Sequence, residues 1–182
     1  MAADLEAKAR IQAAGIEAGL SKHGGDVRTL SLTPPPSAIQ RAAANGGIDP
    51  VSGDSTEVWK DRLTTIFEAM LIAKPEYQQL RMLDVDGTEL VRVDSMGGTI
   101  TRAAEEDLQN KSDSAYFIQA LRAGAGLVSI SALELNRKGG VVQMPPVAVI
   151  RSGQPAWPKS GRPCSRSAAS LGSVRWKVPR LG

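Results

Sequence analysis

The sequence predicts an α+β protein in which helices come first and an antiparallel sheet follows. Residues 1–75 are rich in helix-forming Ala, Leu, Glu and Lys, and they include an amphipathic helix that ends before Pro75. From residue 77 onward, short aliphatic and β-branched runs are separated by turn residues, of which Asp86-Gly87 is the clearest. Helices and strands do not alternate along the chain, so a parallel βαβ sheet is not expected.

The first region, residues 1–75, is predicted to be helical. Residues 2–22 have apolar side chains at helical spacing, and Gly24-Gly25 is expected to weaken or end this first helix. The single histidine, His23, is then expected to be exposed near the helix end. The apolar stripe consists of Leu5, Ala9, Ile11, Ala13, Ile16 and Leu20.

Two further helices are predicted before the sheet. Prolines 34–36 interrupt the chain because proline lacks a backbone donor, and Ser37 is a suitable N-cap for a short helix at 38–44. Ser55 or Thr56 caps the third helix, whose apolar residues recur every three or four positions. They are Val58, Leu63, Ile66, Phe67, Met70 and Leu71.

The second region, residues 76–155, is predicted to form the sheet. It opens with a hairpin whose strands, at 78–85 and 88–94, are joined at Asp86-Gly87. The later predicted elements are a short strand at 99–103, one or two helices at 105–123, and strands at 126–131 and 141–151. The last strand is interrupted by Pro145-Pro146.

The third region, residues 156–182, differs in composition and charge. The chain has a net formal charge of +3, but residues 1–150 contain 15 basic and 19 acidic residues. The last 32 residues contain seven basic residues and no acidic one. A mildly acidic body argues against nucleic acid as a partner, because a nucleic-acid-binding surface is enriched in basic residues.

This third region is predicted to be a disordered basic tail. It is rich in Ser, Pro, Gly and Arg and shows no sustained hydrophobic period. Such a segment buries too little apolar surface to offset the entropy lost on ordering. One hypothesis is that the protein sequence is truncated or frame-shifted after about Pro155.

Composition excludes several classes of site. One cysteine, Cys164, and one histidine leave no disulfide framework and no metal cluster built from several thiolates or histidines. No metal and no cofactor are predicted. No apolar run approaches the roughly 18–20 residues that span a bilayer, and the N-terminus does not resemble a secretory signal. The chain as written is therefore expected to be cytoplasmic, without membrane insertion.

Two arginines face each other in the predicted hairpin. With a two-residue turn, Arg81 lies directly opposite Arg92, although like charges in that position are unfavourable. One interpretation is a rim network neutralised by Asp94, and another is a clamp for an anionic ligand. A longer loop with a bulge would break the direct pairing. One face then carries Gln79, Arg81, Leu83, Val85, Thr88, Leu90, Arg92 and Asp94, and the other carries Leu80, Met82, Asp84, Glu89, Val91 and Val93.

Four stretches within residues 26–155 carry a resemblance: DVRTLSLTPPPSAIQRAAANGGIDP, WKDRLTTIFEAMLIAKPEYQQLRMLDVDGTELVRVD, LQNKSDSAYFIQAL and SISALELNRKGGVVQMPPVAVIRSGQP. Together they resemble a known family, the extracytoplasmic PAS-like sensor domain (Cache or PDC type) of bacterial membrane histidine kinases and diguanylate cyclases. The resemblance implies a PAS-like antiparallel sheet with a long N-terminal helix and a helical layer. It also implies a sheet that is incomplete at the C-terminus, because the family continues after Pro155 into another apolar strand.

The resemblance implies a sensory module that is not itself an enzyme. Members bind a small molecule on one sheet face, pair through the N-terminal helix, and relay the signal to a kinase or cyclic-di-GMP output domain, which is absent from this sequence. In those full-length proteins the domain lies on the periplasmic side of the inner membrane. The expected partners are a small anionic ligand and a second copy of the chain. The alternatives are a structural or interaction fragment that binds no ligand and, third, an enzyme.

The resemblance also implies a set of pocket residues. By position they are Arg81, Arg92, Tyr116, Phe117, Ser129, Ser131 and Asn136. Asp94 joins them because it shares the predicted face of the two arginines. Members commonly have an arginine where this chain has Ser114 and an aromatic residue where it has Val128, so an amino-acid ligand is not inferred.

Overall fold

The computed structural model describes residues 2–124, 126–132, 134–138, 141–142, 144, 148–156 and 170–177. Within this part of the chain, the helices are α1 (Ala2–Leu32), α2 (Pro34–Ala44), α3 (Thr56–Ala73) and α4 (Ala115–Ala123), and a short 3₁₀ helix spans Glu105–Asp107. The strands are β1 (Tyr77–Leu83), β2 (Glu89–Met96), β3 (Thr99–Arg102), β4 (Ser129–Ile130), β5 (Glu134–Leu135), β6 (Arg137–Lys138), β7 (Val141–Val142), β8 (Ala148–Ala156) and β9 (Ser170–Lys177). None of the helices built from the described residues combines the length and hydrophobicity of a transmembrane span.

The first helix is longer than predicted. α1 continues through Gly24-Gly25 to Leu32. Each glycine in a helix interior costs about 1 kcal/mol relative to alanine, but Val27 and Leu30 beyond the glycines are buried in the core. Packing of these side chains outweighs the local preference. His23 is buried for the same reason, so its expected exposure is wrong.

The next two helices follow the predicted positions closely. α2 begins at Pro34 rather than at residue 38, because the first helical turn needs no backbone donors and tolerates proline. Its N-cap is Thr33, so the predicted Ser37 cap is wrong. α3 begins as predicted, and Val58 N donates a hydrogen bond to the side chain of the N-cap Ser55 (3.3 Å).

The main sheet is antiparallel, with strand order β3-β2-β1-β9-β8-β4, and β5 also pairs with β8. β6 and β7 form a separate two-stranded ribbon. The opening hairpin, the third strand and the following helix lie where the sequence predicts them. The predicted α+β class is confirmed.

The central strand, β9, comes from the segment predicted to be a disordered tail. Its backbone pairs with β1 on one side and with β8 on the other. A strand between two partners satisfies its backbone groups on both edges, which local composition does not reveal. The tail prediction is corrected for residues 170–177, and β9 supplies a strand that the sheet was expected to lack. Residues 157–169 and 178–182 of that prediction lie outside the described residues.

The main hydrophobic core lies on the sheet face that α1 and α3 cover. From the sheet it includes Tyr77, Leu80 and Met82 of β1 with Val91 and Val93 of β2, and all five side chains are buried. The helices contribute Val27, Leu30, Ile39, Leu63, Phe67 and Leu71. Burying one such side chain contributes about 1.5–3 kcal/mol to the stability of the fold, so this core holds α1 and α3 on one face of the sheet. The helix α4 packs on the other face.

Candidate functional site

The sheet face beneath α4 carries a set of charged side chains. The register of β1 and β2 pairs Gln79 with Asp94 and Arg81 with Arg92, so the predicted opposition of the two arginines is confirmed. Arg151 of β8 shares this face because its backbone is in register, through β9, with that of Gln79. The face therefore brings arginines together from both halves of the sheet.

Glu89 lies between the two facing arginines. Arg81 Nη1 donates a hydrogen bond to Glu89 Oε1 (2.7 Å), and Arg92 Nη1 donates one to Glu89 Oε2 (2.8 Å). Gln109 N donates a third, to Oε2 (3.1 Å). The Glu89 side chain is 0% exposed. This carboxylate is a buried bridge that lets two like charges occupy paired positions.

A β-bulge places Glu89 on this face. Met82 pairs with Val91, but the next residue of β1, Leu83, pairs with Glu89, which makes Leu90 the extra residue of β2. Paired residues share a sheet face, so Glu89 joins the arginines, although uninterrupted alternation predicts the opposite face. Leu90 packs against the core instead.

Arg92 and Asp94 extend the network toward the edge of the sheet. Arg92 Nε donates to Asp94 Oδ2 (3.0 Å), and Arg92 Nη1 donates to the carbonyl of Asp107 (2.9 Å). Gln79 Nε2 also donates to Asp94. The predicted contact between Asp94 and the arginines therefore exists for Arg92.

The segment from 107 to 112 passes beside the turn of the hairpin and the first residue of β2, and it helps to hold the buried bridge in place. Glu89 N donates to the carbonyl of Gln109 (2.9 Å), and Lys111 N donates to the carbonyl of Gly87 (2.7 Å). Gly87 has φ of +86°, and a Cβ at this position would lie 2.4 Å from Ser112 N. Glycine is thus required here both for its backbone conformation and for the close approach of this segment.

Tyr116 of α4 lies close to the guanidinium groups of both Arg81 and Arg151. Their Cζ atoms are 5.9 and 5.2 Å from the centre of the Tyr116 ring, and Arg81 Nη1 donates to its hydroxyl (3.1 Å). Arg151 also pairs with Glu134 of β5. Arg81 Nε is buried and has no hydrogen-bond partner among the described residues.

We refer to Arg81, Arg92, Lys111 and Arg151 as the cationic cluster. The Lys111 pKa lies below its ordinary 10.5, mainly because of burial and then because of repulsion from Arg81; Glu89 opposes the shift. Repulsion from Arg92 and Arg151 acts in the same direction. The carboxylates paired with cluster arginines are Glu89, Asp94 and Glu134. Among the side chains that the structure describes here, four cations against three carboxylates leave one positive charge in excess.

The remaining predicted pocket residues surround this cluster or support it. Phe117 is buried in a small apolar group with Leu83 and Ala120. Ser129 Oγ donates to the carbonyl of Gly153 (3.2 Å), and Ser131 Oγ accepts from Arg151 N (3.0 Å). The two serines thus join β4 to β8, and Asn136 is buried near the start of the β6 strand.

Four members of the site were not predicted from the sequence. Glu89 was missed because a bulge reverses its face. Arg151 stands at the end of an apolar run, VAVIR, and its charge in that context was an available signal. Lys111 and Glu134 lie in a connecting segment and in a two-residue strand, where no hydrophobic period marks orientation.

A second polar network connects α1 to β1 on the opposite side of the sheet. His23 Nδ1 lies 2.7 Å from Tyr77 Oη, and Tyr77 Oη donates to Asp26, which also pairs with Lys74. Burial is the main cause that lowers the pKa of His23 below 6.5; Asp26 and Glu76 oppose it. Burial also raises the pKa of Tyr77, and the hydrogen bond to Asp26 adds to that shift. A neutral His23 and a protonated Tyr77 are therefore favoured.

An open groove lies between α3 and the β2–β3 edge, and Arg92 is among the residues that line it. Other charged side chains of the groove pair with one another, as in Lys60 with Glu57 (2.9 Å) and Arg102 with Asp61 (2.7 Å). Arg102 also pairs with Glu68 (2.6 Å). This groove offers no charge excess comparable to that of the cationic cluster.

Comparison with known proteins identifies the family. Residues 50–163, well over half of the chain, match the model of the family described as bacterial histidine kinase, sensor domain. No curated protein matches the sequence significantly.

Solved structures of sensor domains share the fold. A domain of a sensory box/GGDEF family protein from Vibrio parahaemolyticus is 18% identical, with a TM-score of 0.72, over 94% of this chain and 59% of that one. The extracellular domain of a protein described as the histidine kinase vpHK1S-Z8 is 18% identical, with a TM-score of 0.71, over 94% of this chain and 56% of that one. The chain thus spans a little over half the length of each. At this identity the likeness shows the fold, which supports the PAS-like sensor architecture predicted from the sequence.

Proposed function

Because this chain belongs to the family of bacterial histidine kinase sensor domains, we propose that it binds a small anionic ligand on the sheet face beneath α4 and relays binding through α1. The output would be a histidine kinase or a cyclic-di-GMP enzyme, and the domain itself would catalyse no reaction. In a full-length receptor it would lie on the periplasmic side of the inner membrane. Sensing, rather than catalysis, is the role that its site supports.

The observation that carries this proposal is the unbalanced charge around Tyr116. Among the described side chains, four cations and three carboxylates meet at this site, and two guanidinium groups lie 5.9 and 5.2 Å from the centre of one aromatic ring. Guanidinium groups offer several donors in a planar fork that matches carboxylates. An anionic ligand would balance the excess charge, and Arg81 Nε is a buried donor still without a partner among the described residues.

The position of β8 suggests how binding could reach α1. Arg151 lies on the site face, whereas its neighbours Ile150 and Ser152 lie on the opposite face, which α1 covers. A shift of β8 at the ligand would therefore act directly on the packing of α1. The α1 segment before residue 19 is largely exposed where its side chains are described, and Ile11 is 73% exposed. A homodimer through this helix would cover that surface.

A second candidate function is a structural or interaction fragment that binds no ligand. It is favoured by Glu89, which already fills the space between Arg81 and Arg92 with an internal carboxylate. The hydroxyls of Ser129 and Ser131 are also bonded to backbone groups. On this account the face is a completed ion-pair network.

A thermal-shift screen of organic acids and amino acids separates the two candidates. A ligand that binds only the folded state stabilises it by RT ln(1 + [L]/Kd), about 2.7 kcal/mol at a hundredfold excess over Kd. A sensor should be stabilised by one chemical class and lose that response in Arg151→Gln. An unchanged unfolding midpoint across the whole panel would favour the non-binding fragment.

A further inference from the structure

We propose that Glu134 is an internal competitor for the ligand: the carboxylate of a small organic acid replaces the Glu134 carboxylate on Arg151. This inference rests on the proposed function and deepens it. It identifies which cation receives the anion, and it defines the ligand class as carboxylates rather than phosphates.

The two arginines of the opening hairpin exchange their internal partner less readily than Arg151 does. Their shared partner, Glu89, is 0% exposed and accepts three hydrogen bonds, one of them from Gln109 N. Displacing it would leave a buried carboxylate without partners, which is strongly unfavourable. Arg81 and Arg92 are therefore held by the protein's own anion.

Arg151 differs from these arginines in its partner. The Glu134 side chain is 41% exposed, whereas that of Arg151 is only 13% exposed. Among the described residues, the Glu134 carboxylate accepts a hydrogen bond only from Arg151. The Glu134 side chain can thus rotate into solvent without breaking another hydrogen bond to the described residues. The Arg151 guanidinium group would then remain beside the Tyr116 ring.

The identity of the competitor indicates the chemistry of the ligand. Glu134 presents a planar carboxylate with a single negative charge to Arg151, and a ligand that replaces it meets the same geometry. A partly exposed ion pair of this kind favours the paired over the separated arrangement of its two side chains by a factor of about 1.4 to 5. A ligand that binds Arg151 can overcome a factor of this size.

The test is a calorimetric titration of the 182-residue chain at pH 7 with acetate, propionate, pyruvate and succinate, and with inorganic phosphate as the contrasting anion. Whichever of these carboxylates binds the wild type should bind Glu134→Gln about two to five times more tightly. Glu57→Gln removes an equal charge on α3, on the other side of the sheet, and should leave affinity unchanged. Arg151→Gln should weaken binding about tenfold or more, and Arg151→Lys should only partly restore it.

The outcomes separate this inference from the proposed function. If the wild type binds a carboxylate but Glu134→Gln binds it equally or more weakly, the competitor role is wrong and the sensor role stands. Equal or tighter binding of phosphate would overturn the carboxylate class. If neither the wild type nor Glu134→Gln binds any tested anion, the proposed function fails as well. Matching unfolding midpoints of the variants in urea exclude loss of folding as the cause.

Discussion

Replacement of Glu89 by glutamine should be among the most destabilising single changes in this chain. The substitution keeps the size of the side chain but removes the charge that separates Arg81 and Arg92, whose side chains are 7% and 13% exposed. Removing one partner of a buried ion pair costs about 3–5 kcal/mol. For a chain of this length, each kcal/mol lowers the melting temperature by about 2–4 °C, so we expect a decrease of roughly 6–20 °C.

Urea unfolding followed by circular dichroism measures this difference directly. Glu57→Gln is the matched control, because its partner Lys60 lies three residues away and the Glu57 side chain is 77% exposed. The control should change the free energy of unfolding by no more than about 0.5 kcal/mol. A Glu89→Gln variant within about 1 kcal/mol of the wild type would refute the buried bridge.

Three further predictions concern the hairpin turn, the α1 junction and the central strand. Gly87→Ala should destabilise the fold by about 1 kcal/mol more than Gly53→Ala in thermal unfolding, since both have positive φ but only the former would meet the Ser112 backbone; equal effects would contradict the close approach. Burial lowers the pKa of His23 below 6.5, so the unfolded chain binds more protons than the folded chain between the folded pKa and pH 6.5. The free energy of unfolding should therefore be highest above pH 6.5 and fall as the pH drops through the folded pKa. His23→Gln should flatten this decline, and an unchanged slope in the variant would contradict the role of His23. Val174→Pro removes a backbone donor from a strand that is paired on both sides. The variant should lose cooperative unfolding or have a free energy of unfolding lower by about 1–3 kcal/mol. Wild-type stability in the variant, or rapid proteolysis of residues 170–177 in the wild type, would contradict the pairing of β9 with β1 and β8.

The hairpin shows how far sequence reasoning extends. Its strands and the Arg81–Arg92 pairing follow from the Asp86-Gly87 turn and residue alternation. The face of Glu89 does not, because a single extra residue at Leu90 reverses the alternation beyond it. At the bulge, Glu89 N donates a hydrogen bond to the carbonyl of Gln109, a contact with a distant segment that the hairpin sequence alone does not indicate.

The longest-range features were also the hardest to predict. α1 continues through two glycines because residues that follow them in the helix pack into the core. β9 forms between β1 and β8, which are distant from each other in the sequence. The four residues VRWK within β9 alternate between apolar and basic types, but the surrounding Ser, Pro and Gly dominate the composition. Tertiary contacts, rather than local propensity, determine both elements.

The same limit applies to the site. Position within the family fold pointed to Arg81, Arg92 and Tyr116, which the structure brings into one contact network. Arg151 reaches the same ring from β8, and this meeting depends on the complete strand order. Residues contributed by one hairpin were predictable, whereas their partners across the sheet were not.

The measurement that tests the central claim most directly is the titration of the wild type and Arg151→Gln with the same small carboxylates, monitored by calorimetry. If the cationic cluster receives an anionic ligand, at least one carboxylate should bind the wild type with one site per chain, and Arg151→Gln should weaken that binding about tenfold or more. Equal affinity of the two proteins, or no heat of binding from any carboxylate, would contradict a ligand site at Arg151.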